Sequence, residues 1–122
     1  MYTLKAPILG FYGFDTIDIE KQDDVISKII FHESSLLSAC MINSKYLKNI
    51  SFDLEEEIKN ILGITKDSKI AIYFPMVIQS PMEESIVNLG APIIVNEDIK
   101  AVGQYVINNE SFKHAQLQKV CA

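Results

Sequence analysis

The stretch SIVNLGAPIIVN, residues 85–96, decides how this chain folds. Ile86, Val87, Leu89, Ile93, Ile94 and Val95 are apolar strand formers, interrupted by Gly90-Ala91-Pro92 and flanked by Asn88 and Asn96. Proline brings no ladder donor, and glycine accepts backbone angles that other residues avoid. The expectation is two short strands, Ile86–Leu89 and Pro92–Val95, turning a corner in a small sheet protein.

The flanks support a sheet. Upstream, Lys69 to Gln79 is the longest apolar run and is apolar on both faces, which predicts a central strand covered on both sides. Pro75 inside it predicts a bulge. Downstream, a turn at Glu97-Asp98 leads to a strand over Ala101–Ile107. Nearer the N-terminus, Thr3–Leu9 contains Pro7 and reads as an edge or bulged strand. Gly10 and Gly13 then bracket Phe11 and Tyr12 in a tight loop. Thr16–Glu20 alternates cleanly, with Ile17 and Ile19 inward. Val25–Glu33 and Leu36–Ile42 read as a hairpin joined at Ser34-Ser35.

One helix interrupts the strands, at about 53–63. Asp53 can cap it, and Glu56 stands three positions on, as a capping box requires. Leu54, Ile58, Ile61 and Leu62 form one apolar stripe. Glu55, Glu56 and Glu57 suit the first turn, and Gly63 is placed to end the helix. Beyond 107 a turn pinned by Phe112 is expected, and a tail that frays after about 113. With 122 residues, the chain reads as a single domain, 1–122, of mainly β class: an antiparallel sheet curled into a barrel or sandwich with one short helix.

Eleven basic residues stand against 16 acidic ones, for a net charge of −5, and every basic residue is Lys. Bidentate recognition of phosphates and guanine edges is mainly arginine work, and an acidic domain gains nothing from counterion release. Direct binding to nucleic acid is therefore not expected, whereas a basic protein would be attracted. No secretory signal is read at the N-terminus, and no apolar run approaches the length of a membrane span. Cys40 reads as a small core residue and Cys121 as an exposed thiol, which suits a reducing compartment.

Catalytic and metal constellations are thin. His32 lies on a strand, His114 in the tail, and a Cys40–His32 pair is less economical than a core thiol beside a half-exposed imidazole. No HxxxH, CxxC or DxDxDG spacing occurs, and the consecutive glutamates splay around a helix or turn instead of converging. No enzyme activity, cofactor or metal is expected.

The residues do carry a family resemblance. ILGF at Ile8–Phe11, SFDL at Ser51–Leu54, LGI at Leu62–Ile64, the strand Lys69–Gln79, NLGAPIIVN at Asn88–Asn96 and GQYVI at Gly103–Ile107 occur in an order that resembles the FliW flagellar assembly factors. NLGAPIIVN, close to the family's NLxAPIxxN, is the most specific of these. The likeness runs from Pro7 to Phe112. Two features depart from it: the family usually has Asn-Pro where Asn43 is followed by Ser44-Lys45, and Pro75 is unusual. The resemblance implies a small antiparallel β-barrel-like domain, cytoplasmic and without catalytic activity. It implies binding to flagellin, which guards flagellin against misassembly or degradation. It also implies antagonism of CsrA, a small RNA-binding translational repressor, away from the repressor's RNA-binding surface, with the two partners in competition.

The resemblance does not say which face binds. The signature and its neighbouring strand suggest Asn88, Leu89, Pro92, Ile93, Gln104 and Tyr105 as partner-binding residues, with core packing as the competing role for Leu89 and Ile93. The free protein is expected to be a monomer, with no nucleic acid or membrane partner. Two other readings compete: a small-molecule-binding or enzymatic barrel using Tyr73, Tyr105 and His32, and a domain that self-associates through an exposed strand.

Overall fold

The structure, a computed structural model, describes residues 1–8, 11, 13–33, 37–48, 53–107 and 114–121. The hairpin connection at Ser34-Ser35, Gly10 and Tyr12 of the aromatic loop, Ser51 and Phe52 of SFDL, and the turn expected at Phe112 lie outside the described residues.

Among the described residues, nine strands form one sheet: β1 (Tyr2–Leu4), β2 (Thr16–Lys21), β3 (Ile26–Phe31), β4 (Ser38–Asn43), β5 (Ile70–Val77), β6 (Ile86–Asn88), β7 (Ile93–Asn96), β8 (Ala101–Gln104) and β9 (His114–Gln116). Their order is β4-β3-β2-β1-β8-β7-β5-β6-β9, and β4 also pairs with β5. That last pairing closes seven strands, β4-β3-β2-β1-β8-β7-β5, into a barrel, leaving β6 and β9 as an extension. Every pairing is antiparallel except β1 with β8. The expected hairpin is β3–β4, in register from Ile26↔Ile42 to Ile30↔Ser38.

The barrel interior is packed with side chains. Ile17, Ile29, Phe31, Met41, Ile93, Val95 and Val102 gather there, each almost wholly buried. Phe11 stacks on Phe31 with ring centroids 4.6 Å apart, and Phe14 leans on the same ring at 4.9 Å. Phe11 and Phe14 thus pack against the interior cluster at Phe31, where stacked rings add to the area they bury.

The corner forms where the glycine-proline break requires it. β6 and β7 both run antiparallel to β5 along the same edge: Met76↔Val87 and Val77↔Ile86 on one side of the break, Tyr73↔Ile93 to Ile70↔Asn96 on the other. Residues 89–92 take up the slack between the two registers. Beyond this corner the sheet divides. β7 continues to β8 and closes the barrel, while β6 leaves to pair with β9.

Pro75 sits at the division. Toward β4 the register is continuous, with Met41 opposite Pro75 and Ile42 opposite Phe74, so the expected bulge is absent on that side. Toward β6 and β7 neither Phe74 nor Pro75 has a paired residue. The proline is tolerated because it coincides with the place where that ladder is already interrupted.

α1 spans Glu56–Ile61, shorter than expected at its start. Its N-cap is Glu55, without a side-chain capping bond, so the Asp53–Glu56 capping box does not form. The C-terminus behaves as foreseen. Gly63 has φ +64°, its N–H donates to the Asn60 carbonyl at 3.3 Å, and Ile64 N–H donates to the Lys59 carbonyl at 2.8 Å. That is a Schellman ending, which uses orphan carbonyls of the last turn. Ile58 and Leu62 dock on the outer face of β7 and β8 against Ile94 and Ala101. β8 is consequently buried on both faces. Gly103 lies where the approach is closest: a Cβ there would stand 2.9 Å from Ala6 Cβ and 3.3 Å from Leu62 Cδ2.

The segment after 113 is in contact with the rest. β9 pairs with β6 from Ile86↔Gln116 to Asn88↔His114. A second short helix, α2 (Leu117–Val120), which the sequence reading did not foresee, follows it. Leu117 packs with Phe74, Met76, Val87 and Leu89 on the outside of the barrel wall. Cys121 is half-buried and bridges to Leu47, and Cys40 packs against the same cluster.

Candidate functional site

The six residues singled out around the signature fall into three groups. Leu89 and Ile93 are 7% and 1% exposed, and Pro92 is buried. Leu89 packs in the outer cluster with Phe74, and Ile93 in the barrel interior. These three are placed as core. Asn88 is half-buried, and its Oδ1 accepts the Gly90 N–H at 3.0 Å, starting the corner. It also lines a shallow cleft with Pro75, Met76, Val77, Ile86 and His114.

Gln104 and Tyr105 form the third group. Gln104 Nε2 donates to the Ala91 carbonyl at 2.7 Å, pinning the corner from the neighbouring strand. Beyond β8 the backbone continues the link, with Tyr105 N–H donating to the Pro92 carbonyl at 3.3 Å and Ile107 N–H to that of Gly90 at 2.8 Å. Both residues line a groove of about 280 Å³ between α1 and the end of β8. Ala6, Ile58, Ile61 and Val106 supply its apolar lining, and Glu55 and Glu57 its charge. Ile61 and Val106 are 41% and 61% exposed. Burial, and secondarily the nearby Glu55 carboxylate, push the Tyr105 phenol up to about 12.

Ile61, Val106, Glu55 and Glu57 did not emerge as site residues from the sequence. Ile61 was expected on the docking stripe, yet a six-residue helix buries only one narrow face. The cue available was the stripe's width: with Leu54, Ile58 and Leu62 enough to dock, Ile61 is surplus.

A second concavity, about 290 Å³, is lined by Tyr2, Ile19, Ser27, Asn43, Tyr73 and neighbours. Within the lining, Lys21 Nζ lies 3.8 Å from Asp24 Oδ1 and the Lys45 N–H donates to Asn43 Oδ1 at 3.0 Å, while Tyr2 bonds to a residue outside it. Tyr2 Oη donates to Glu97 Oε2 at 3.1 Å, and Lys100 Nζ lies 3.3 Å from the same oxygen and 5.0 Å from the centre of the Tyr2 ring. Burial, then Glu97, raises the Tyr2 phenol above its ordinary value.

Tyr73, Tyr105 and His32 do not meet. Tyr73 lines one concavity and Tyr105 the other. His32 Nε2 is 2.6 Å from Asp18 Oδ2, and the N-terminal amine is 3.2 Å from Asp18 Oδ1. The His32 hydrogen bond first, and the amine second, hold the Asp18 carboxyl below its usual value. Nor does His32 face Cys40, which stands opposite Lys28 and Met76. Among the described residues, no group of three or more His, Cys, Asp or Glu side chains could hold a metal ion, and no helix is long and apolar enough to cross a membrane.

A closed barrel packed with its own side chains defines a small β-barrel domain. Comparison with known proteins makes the identification specific. The family described as FliW protein matches residues 1–117. The flagellar assembly factor FliW 1 of Wolinella succinogenes is 31% identical over 112 residues, covering 92% of this chain and 88% of that protein. The flagellar assembly factor FliW of Sulfurimonas denitrificans is 31% identical over 115 residues, covering 94% and 90%. That of Helicobacter pylori strain G27 is 35% identical over 97 residues, covering 78% and 72%. A crystal structure of the flagellar assembly factor FliW superposes with a TM-score of 0.86 at 20% identity, over 94% of this chain and 83% of that one, and shows the same fold. The chain belongs to the FliW family.

Proposed function

We propose that this protein is a non-enzymatic, cytoplasmic flagellar assembly factor. It binds flagellin, guarding it until export, and binds the repressor CsrA, relieving repression away from the repressor's RNA-binding surface. Flagellin and CsrA exclude one another, so flagellin translation follows the demand of the growing filament. The reading rests chiefly on one observation: the family match runs from residue 1 to 117, and the relatives are named as assembly factors over most of their own lengths.

Two physical features agree with it. Ile17, Ile29, Phe31 and Met41 are wholly buried in the middle of the barrel, which favours recognition at its surface over a substrate site enclosed among them. A net charge of −5 without arginine suits a basic RNA-binding partner and disfavours RNA itself.

The test is capture at micromolar concentration by the immobilised protein, with purified flagellin, purified CsrA and a CsrA-target RNA in separate arms. The expected result is saturable capture of each protein, displacement of one by the other, and no retention of RNA. Empty pull-downs with both proteins would sink the reading.

A further inference from the structure

β2, β3 and β4 turn alternate side chains toward the barrel interior: Ile17 and Ile19, Ile29 and Phe31, and Met41. At the end where β3 finishes, Phe31 meets the rings of Phe11 and Phe14. At the opposite end, where β2 finishes and β3 begins, the same alternation puts Lys21, Ser27 and Asn43 on the inward face. Lys21 stands opposite Ser27 in register, and Asn43 opposite Tyr73. All four line the concavity of about 290 Å³, with Tyr2 and Ile19, which pack on the interior cluster. The concavity is therefore a mouth of the barrel, a place where β-barrel proteins commonly take small ligands.

This mouth offers donors that the fold does not use. Ser27 is 9% exposed, and its hydroxyl has no hydrogen-bond partner among the described residues. Lys45 makes no ion pair among them, and its ammonium lies 5.2 Å from the centre of the Tyr46 ring. Lys21 has Asp24 at 3.8 Å, but both side chains are largely exposed, so that pair is weak. Two lysines against one aspartate leave the lining cationic, in a chain whose net charge is −5. Glu97, just outside, is occupied by Lys100 and Tyr2. A singly charged anion is matched by this balance and a doubly charged one is not. Tyr2, Tyr46 and Tyr73 add three rings, which pair well with another ring. Burial, then Glu97, raises the Tyr73 phenol above its ordinary value, so it stays neutral beside an anion.

We propose that this mouth binds a small aromatic monocarboxylate. Its carboxylate is held by the Ser27 hydroxyl and the Lys21 and Lys45 ammonium groups, and its ring lies among the tyrosines above Ile19. The volume sits at the lower edge of the roughly 300–1,000 Å³ of ligand sites, which suits a molecule with a single ring. The site does not depend on the protein partners proposed above.

The test is an NMR titration of the full chain with benzoate as the probe, beside acetate, benzamide and sulfate. Benzoate is expected to saturate with a Kd of about 1 mM or tighter, with amide shifts centred on Ile19, Ser27 and Tyr73. Acetate lacks the ring, benzamide lacks the charge, and sulfate carries too much of it. Each is expected to bind at least about tenfold more weakly. Lys21→Gln/Lys45→Gln is expected to weaken benzoate about tenfold and Ser27→Ala about fivefold, with a control elsewhere, Lys66→Gln, within about twofold. Both lysines are exposed, so the double variant should melt as the wild type does and carries the test even if Ser27→Ala loses stability. Any of four results overturns the site. They are benzoate unsaturated by about 10 mM, shifts centred elsewhere, acetate, benzamide or sulfate binding as tightly, and a double variant that binds like the control.

Discussion

The corner at residues 88–96 and the groove beside α1 stand in contrast. The corner holds the most family-specific sequence in the chain, and almost every side chain in it serves the fold. Leu89, Ala91, Ile93, Ile94 and Val95 are buried, and each asparagine is committed to a turn. Asn96, 1% exposed, donates from Nδ2 to the Leu62 carbonyl at 2.8 Å and to that of Gly63 at 3.3 Å, and its Oδ1 accepts the Asp98 N–H at 3.1 Å. One amide thus ties the end of α1 to the β7–β8 turn. The groove uses unremarkable residues, two glutamates, an isoleucine and a valine, and leaves them accessible. A distinctive sequence can mark geometry that is hard to build, whereas an accessible concavity can be lined by common side chains.

Substitutions can break or sharpen that contrast. Ile93→Ala removes a side chain from the closed interior and should cost about 2–5 kcal/mol in denaturant unfolding. A loss below about 1 kcal/mol would mean that the corner is not core. Asn96→Ala leaves buried carbonyls without their donor, and should cost about 1–3 kcal/mol with α1 loosened in hydrogen exchange. Gly103→Ala forces a methyl to within 2.9 Å of Ala6 Cβ and should cost about 1–3 kcal/mol. Adding Ala6→Gly should restore part of that, because it removes the atom in the way.

On the groove side, Val106→Ser should leave unfolding stability within about 0.5 kcal/mol, as for other exposed positions. The smallest effect is a titration. Tyr105 keeps its proton in the fold to about 12, whereas the unfolded chain releases it near the ordinary 10.0. Its contribution is therefore complete below pH 10 and is lost as pH rises through the folded value. Tyr105→Phe should flatten the alkaline fall in stability, and Glu55→Gln should bring the phenol's absorbance change to lower pH. Unchanged curves for both would separate Tyr105 from the groove.

Much of the fold was legible because it depends on local chemistry. Proline and glycine at 90–92 break a strand wherever it lies, alternation in Thr16–Glu20 orients Ile17 inward, and Gly63 accepts the positive φ of a helix ending. The segments after 113 were less legible, since three residues of β9 become a strand only because β6 offers them an edge.

The sequence by itself determined the mainly β class, the corner, the helix ending, the acidic arginine-free surface and the family. Each of these resides in backbone preference, net charge or residue order, which need no partner in space. The tertiary structure alone decided that the sheet closes through β4–β5, that Pro75 falls in a gap of the ladder, and that Leu89, Pro92 and Ile93 are covered while Ile61 and Val106 are not. Burial is a property of what packs against a residue, and distant segments supply that packing.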